Sequence, residues 1–229
     1  MQYCVKHGPV FSILELELDE AEGVVAQPNS MLSMTSGIHL SAAMGRRGSG
    51  SGWWGGFKSV LGGENFFTAE FTSQKPGQML TLAPDTYGDI LTLRLSEEGA
   101  FFLTRGSYLA NVGPCELQIR YGGIKGVMSK KGLFLLHAAG TGVVFCQSYG
   151  AIVQRTLAAD EKFFVDNRFV IAFSESIQYQ LVKATRSVKD SLLSGEGLVN
   201  RYTGPGTLFY QTRGRPATGM FTRVLDAAF

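Results

Sequence analysis

Three cysteines are the residues of this chain best suited by type to nucleophilic chemistry, at Cys4, Cys115 and Cys146. They are odd in number and lack the paired spacing of a zinc site. Cys115 and Cys146 sit in apolar, strand-like segments, which is typical of buried thiols in a reducing compartment. A catalytic thiol needs a base that activates it, and the sequence pairs none of the three with such a base. We therefore expect no catalytic cysteine.

Three histidines could bind a metal, but they are isolated from one another at His7, His39 and His137. A metal of the cupin type lies among several histidines and a carboxylate, and this chain has no His-x-His pair to begin such a set. We interpret His137 as a hydrogen-bonded or strand-edge side chain. The sequence therefore predicts no metal and no cofactor, and a cupin-like metal-dependent enzyme is the least favoured hypothesis.

Two glycine-rich motifs have the composition of phosphate-binding loops without their other features. The run 45–52 has no Gly-Lys-Ser/Thr ending and precedes no long helix. Gly204-Pro205-Gly206 lies between two strand-like segments and also precedes no helix. Both motifs are predicted to form turns.

A glycine-rich insertion, 45–63, carries both tryptophans of the chain, Trp53 and Trp54, followed by Phe57 and Lys58. Aromatic and basic residues together suit a membrane interface, a partner surface or stacked bases. Tryptophans that cover the core or a subunit contact would give the same composition. These four residues are candidate interaction residues, with the alternatives open.

The elements that position these residues recur three times. The apolar pattern around Leu32 returns 77 residues later at Leu109 and 62 residues after that at Ile171. Its other members are Ile13, Leu18, Val24 and Val25, then Ile90, Leu95, Phe101 and Phe102, then Ile152, Leu157, Phe163 and Phe164. Such a period indicates triplicated supersecondary units. We predict one domain, 1–229, with repeats at about 10–86, 87–148 and 149–229.

Within the repeats, alternation predicts strands. Leu14, Leu16 and Leu18 point to one side while Glu15 and Glu17 point to the other. The same period of two occurs at 91–95, 117–121 and 177–181. Twenty-nine glycines against seven prolines indicate many tight turns. The predicted fold is mostly β.

Short helical turns are predicted at 57–61, 124–128 and 188–192, the last within a capped helix at 187–194. Each turn carries a lysine at the same position, namely Lys58, Lys125 and Lys189. A net charge of +2 with dispersed basic residues argues against general nucleic-acid binding. A ring of the three lysines could still capture RNA, or each could be the solvated face of its turn.

The location is predicted to be the cytoplasm. No apolar run approaches the roughly 18 residues that span a bilayer. Residues 1–9 have neither the apolar stretch of a secretory signal nor the arginine-rich character of a mitochondrial presequence.

The segment 195–213 resembles the signature of the family named for altered inheritance of mitochondria (AIM), formerly a domain of unknown function. Tyr149-Gly150 and Val165-Asp166 are also similar to the family pattern. The signature positions are Gly195, Glu196, Gly197, Gly204, Pro205, Gly206, Gln211, Thr212 and Arg213.

The resemblance implies a double-stranded β-helix like that of the tryptophan RNA-binding attenuation protein (TRAP-like), a homotrimer, and, without a presequence, a bacterial-type member. It supplies no catalytic residue. The signature glycines permit turns, and the polar trio at its end can tie a strand end or a subunit seam.

We therefore predict a non-enzymatic assembly or scaffold protein, a homotrimer whose surface contacts another protein or a membrane surface. The alternative is an RNA-binding or membrane-associated module, although nucleic acid is the less favoured partner.

Overall fold

The computed structural model describes residues 1–44, 67–104, 106–122, 133–183 and 198–214. These ranges are mostly β, as predicted, and contain nineteen strands and one short helix, α1 (Leu95–Glu98). The strands are β1 (Gln2–Lys6), β2 (Ile13–Leu18), β3 (Gly23–Ala26), β4 (Met31–Met34), β5 (Ile38–Met44), β6 (Phe67–Ser73), β7 (Gln78–Leu82), β8 (Ile90–Arg94), β9 (Phe101–Thr104), β10 (Tyr108–Val112), β11 (Cys115–Gly122), β12 (Leu133–Gly140), β13 (Val143–Gln147), β14 (Ile152–Leu157), β15 (Lys162–Val165), β16 (Val170–Ser174), β17 (Gln178–Lys183), β18 (Leu198–Thr203) and β19 (Gly206–Gln211).

The described strands form four antiparallel sheets. One sheet has four strands in the order β1-β2-β7-β4, and another has three in the order β15-β18-β17. The other two have six strands each, in the orders β5-β6-β3-β10-β13-β8 and β11-β12-β9-β16-β19-β14. Adding six to each strand number of the first of these orders gives the second. The pairs β3–β10 and β9–β16 join the two halves of each six-stranded sheet.

The alternation predicted for β2 is confirmed. Leu14, Leu16 and Leu18 are fully buried, while Glu15 and Glu17 lie on the opposite face. The Nζ atom of Lys6, on the neighbouring strand β1, lies 2.5 Å from Oε2 of Glu15. One face of β2 therefore builds the core, and the other carries the charged groups.

One irregularity recurs in three strand pairs. The register shifts at Leu32 between β4 and β7, at Leu109 between β10 and β13, and at Ile171 between β16 and β19. An extra residue at such a bulge bends its strand and increases the local twist. These three residues are the ones that the repeated apolar pattern aligns in the sequence.

The strand predicted across 91–95 is wrong at its end. β8 stops at Arg94, and Leu95 begins α1 while remaining buried. The turn is held by the Arg94 N–H, which donates to Oε1 of Glu98 at 2.9 Å. Gly99 ends it with a φ of 81°. A helix of four residues is too short to show a helical period, so the alternation hid it.

Apolar side chains form three buried clusters in the described ranges. The third is the most aromatic and is built around Phe173, whose ring centroid lies 5.4, 5.3 and 5.2 Å from those of Phe102, Tyr179 and Tyr202. Tilted and edge-on aromatic pairs at such distances add to the stability gained from burial.

Several predicted elements lie outside the described residues, namely the insertion 45–63, the helical turns at 57–61, 124–128 and 188–192, and the helix at 187–194. Among the described residues, no helix combines the length and the apolar character that a membrane crossing requires.

Candidate interaction site

The predicted interaction residues Trp53, Trp54, Phe57, Lys58, Lys125 and Lys189 lie outside the described residues, as do Gly195, Glu196 and Gly197 of the signature. The strand numbering nevertheless relates the three lysines. Lys58 falls in the connection between β5 and β6, Lys125 in that between β11 and β12, and Lys189 in that between β17 and β18. These connections are separated by six strands each, so the lysines occupy corresponding connections.

The described part of the signature begins at the turn between β18 and β19. A Cβ atom at Gly204 would lie 2.2 Å from the carbonyl oxygen of Ala158, so the close approach of the two backbones requires glycine. Gly206 has a φ of 148°, which side chains rarely adopt. The two glycines flank Pro205 and allow the hairpin to turn tightly against the segment that contains Ala158.

The polar end of the signature ties strand β19 to the connection before β14. Gln211 is buried, and its side-chain oxygen accepts from the Tyr149 N–H at 2.9 Å while its side-chain nitrogen donates to the Arg168 carbonyl at 2.9 Å. Oγ1 of Thr212 accepts from the Ala151 N–H at 3.0 Å. The Arg213 N–H donates to the Tyr149 carbonyl at 3.2 Å. These contacts satisfy backbone groups of three segments and fasten the end of β19.

Gln147, which the sequence analysis did not identify, makes the same kind of hydrogen bonds to backbone groups at the end of β13. It is buried, accepts from the Asp85 N–H at 3.1 Å and donates to the Gly106 carbonyl at 3.0 Å. Gln147 opposes Ile90 as Gln211 opposes Ile152, one pair in each of the two six-stranded sheets. The signal that could have revealed it is a glutamine followed by Ser or Thr at both positions.

The cysteines occupy two kinds of environment. Cys4 is exposed, whereas Cys115 and Cys146 are buried, as interpreted from their apolar segments. Burial raises the pKa of the Cys115 thiol to about 11. A thiol of this kind is the opposite of an activated nucleophile.

We expect iodoacetamide to alkylate Cys4 of the folded protein much faster than Cys115 near pH 8. Because the thiolate is the nucleophile, a pKa of about 11 leaves only about 0.1% of this thiol reactive at that pH. Peptide mass spectrometry over time measures both rates, and unfolding in guanidinium should make them similar. Equal alkylation rates in the folded protein would contradict the burial of Cys115 and the exposure of Cys4.

His137 is a partnered side chain within β12. Its Nε2 atom lies 3.0 Å from Oε1 of Glu175, and its ring centroid lies 5.0 Å from that of Phe102. β12 is paired on both sides, with β11 and β9, so the residue is not at a sheet edge. His39 is exposed on β5. The described residues contain no group of three or more His, Cys, Asp or Glu side chains that could hold a metal ion.

The most unusual surface is one side of β4, which we call the β4 edge (Met31–Met34). All four of its side chains are exposed, and Leu32 at the bulge is 59% exposed. The corresponding bulge residues Leu109 and Ile171 are 0% exposed. β10 and β16 are covered because β3 and β9 pair with their second sides, whereas β7 is the one described strand that pairs with β4.

A complementary surface occurs on strand β15, which we call the β15 edge (Lys162–Val165). Phe164 is 56% exposed, whereas Val25 at the corresponding position of β3 is 4% exposed. Among the described strands, β15 pairs with β18 on one side and has no partner on the other. The β4 and β15 edges thus correspond to strands that pair on both sides inside the molecule.

Comparison with known proteins gives similarity over nearly the whole chain. The family model described as mitochondrial biogenesis AIM24 matches residues 3–213. An uncharacterized protein of Streptococcus pyogenes serotype M6 is 28% identical over 216 residues, which cover 93% of this chain and 86% of that protein. A crystal structure of a Streptococcus pyogenes protein is 27% identical, with a TM-score of 0.75, and the match covers 100% of this chain and 99% of that one.

Proposed function

Because this chain belongs to the mitochondrial biogenesis AIM24 family, as its signature indicated, we propose that it is a non-enzymatic assembly or scaffold protein that functions as a homotrimer. We further propose that it is a triplicated, TRAP-like double-stranded β-helix. One observation carries the proposal: within the described ranges, the sheets β1-β2-β7-β4 and β15-β18-β17 are half-sheets, each lacking the strands that complete the six-stranded sheets.

The six-strand period supports the triplicated architecture. Strands β2 to β7, β8 to β13 and β14 to β19 form three successive groups, and each six-stranded sheet takes three strands from one group and three from the next. The bulges at Leu32, Leu109 and Ile171 fall at the same place in the three groups. The strand groups support the proposed repeats at about 10–86, 87–148 and 149–229.

The unfinished half-sheets support self-assembly. An exposed strand edge presents unpaired N–H and C=O groups and is a template for another strand. The apolar side chains of the β4 edge add area that association would remove from water. A surface of this kind suits a protein whose role is to build or organise an assembly, in the cytoplasm as the sequence predicts.

A second candidate function is supported by the three corresponding lysines. Their connections adjoin β5, β11 and β17, which are all outer strands of their sheets. Lys58, Lys125 and Lys189 could therefore form a repeated basic surface for RNA or for a membrane with anionic lipids. Trp53 and Trp54 lie in the first of these connections and would add aromatic contacts to either partner.

Native mass spectrometry of the protein purified gently from its host tests both candidates. We expect a species of three times the 24.8 kDa chain mass, because the half-sheets are completed between protomers. A monomer across the accessible concentration range would contradict the trimer. Retained nucleotide or lipid mass would favour the second candidate, and a stoichiometric metal ion would revive the cupin-like enzyme.

A further inference from the structure

We infer that the protomers are joined by a continuous intermolecular sheet in which β4 of one copy pairs antiparallel with β15 of the next. This inference rests on the proposed self-assembly and specifies its interface and its register. The partner is a second copy of this chain, because the strands that correspond to β15 and β4 pair with each other twice in the internal sheets, as β3 with β10 and as β9 with β16.

Strand order carries the first step. Joining the two half-sheets through β15 and β4 gives β17-β18-β15-β4-β7-β2, with β1 outside. Subtracting twelve from β17, β18 and β15 and adding six to β4, β7 and β2 reproduces β5-β6-β3-β10-β13-β8, the order of the first six-stranded sheet. The joined sheet therefore repeats an arrangement that the molecule already contains twice.

The internal junctions also fix the register. Ala110 opposes Ala26 in the β3–β10 pair, and Ala172 opposes Leu103 in the β9–β16 pair. The two pairs are related by the offsets seen in the sequence, 62 residues for the first partner and 77 for the second. Both junctions consequently have the same register.

Subtracting 77 from Ala110 leads to Ser33, and adding 62 to Leu103 leads to Val165, so Ser33 is placed opposite Val165. The same steps from Asn111 and Phe102 place Met34 opposite Phe164. Phe164, which is 56% exposed on the β15 edge, would then be covered by the β4 edge. Both strands are paired on their other sides, to β7 and β18, and the described part of the chain places no strand on the side that this contact uses.

The bulge supports the same junction. The carbonyl of Leu109 accepts from the Gln27 N–H at 2.8 Å, across the β3–β10 junction. At the proposed contact between β4 and β15, the corresponding atoms are the Leu32 carbonyl and the Asp166 N–H. This contact would bury Leu32 as Leu109 is buried.

The chemistry of the β4 edge fits a strand partner better than water. Natural edge strands are protected by charged side chains or proline, and β4 has neither in Met31-Leu32-Ser33-Met34. The contact is heterologous, since different strands meet, and heterologous contacts give a closed ring when the rotation between copies closes. Three copies are the number that the proposed function requires.

A disulfide between two differently marked chains tests the inference. Both chains carry Cys4→Ser, which removes the exposed thiol. One carries Ser33→Cys and an affinity tag, and the other carries Val165→Cys. Directly opposed residues of antiparallel strands lie about 4.5–5.5 Å apart, which a disulfide can bridge. After co-expression and mild oxidation, we expect the untagged chain to shift to the mass of a disulfide-linked pair with the tagged one.

The matched control replaces Val165→Cys by Lys162→Cys, an exposed position on the same strand that lies three residues out of register. It should give little or no linked pair. A trimer without the Ser33–Val165 link would overturn the inference and leave the proposed function standing. Linkage of Ser33→Cys to itself would indicate a different, isologous contact and would also overturn it.

A single chain that carries both Ser33→Cys and Val165→Cys distinguishes pairing between molecules from pairing within one molecule. A disulfide within one chain would mean that β4 and β15 of the same molecule pair with each other. That result would overturn the intermolecular pairing. A preparation that is monomeric by native mass spectrometry and forms no link contradicts the proposed assembly itself. Linked chains forming covalent multimers support the inference.

Discussion

Replacing Phe173 with alanine is expected to lower the free energy of unfolding by about 3–5 kcal/mol, since a large aromatic side chain is lost from a close-packed core. Phe173 is 0% exposed and packs against Phe102, Tyr179 and Tyr202. These neighbours come from three other strands, so no single side chain can move to fill the cavity. Guanidinium unfolding followed by circular dichroism measures the loss.

The matched control is Phe11→Ala, because Phe11 is 68% exposed and has a single edge-on ring contact, with Tyr87. We expect a loss of less than about 1 kcal/mol there. Both variants must be compared at one protein concentration, because association adds to the apparent stability. Similar losses in the two variants would show that Phe173 does not anchor the third cluster.

Gln211→Leu is expected to lower the free energy of unfolding by about 1–3 kcal/mol, since it removes two hydrogen bonds between a buried side chain and two backbone groups. Those groups are the Tyr149 N–H and the Arg168 carbonyl, each 2.9 Å from the Gln211 side chain. Leucine has a similar volume, so the loss would measure hydrogen bonding rather than a cavity. Thermal and guanidinium unfolding give the value.

Gln154→Leu provides the comparison, because Gln154 is exposed on β14, a strand that pairs with β19. Its replacement should change stability by no more than about 0.5 kcal/mol. If Gln211→Leu were equally mild, the signature glutamine would have a role other than fastening the end of β19.

Sequence patterns predicted the strands well where burial follows from local alternation. Leu14, Leu16 and Leu18 face the core because a period of two places them on one side of any strand. The short helix at Leu95 was missed because one helical turn leaves the same apolar spacing as a strand end. Local patterns therefore identified strand faces better than strand ends.

The candidate site depended on information that local patterns do not contain. Leu32, Leu109 and Ile171 look alike in the sequence, yet the first is exposed and the others are buried. The difference arises from which strand lies beside each one, and that partner is distant in the chain. The signature similarly identified Gln211, whereas Gln147 became visible only through its hydrogen bonds.

The sharing of each six-stranded sheet between successive groups has a consequence for how the chain folds. Ala26 cannot gain its partner Ala110 until synthesis has reached the third strand of the second group, and Leu103 likewise requires Ala172 in the third strand of the third group. Closing such long loops before their contacts form costs entropy and slows folding. Each group therefore completes its sheet only after part of the next group has been synthesised. Until then, a nascent chain would expose unpaired apolar strands that chaperones can recognise.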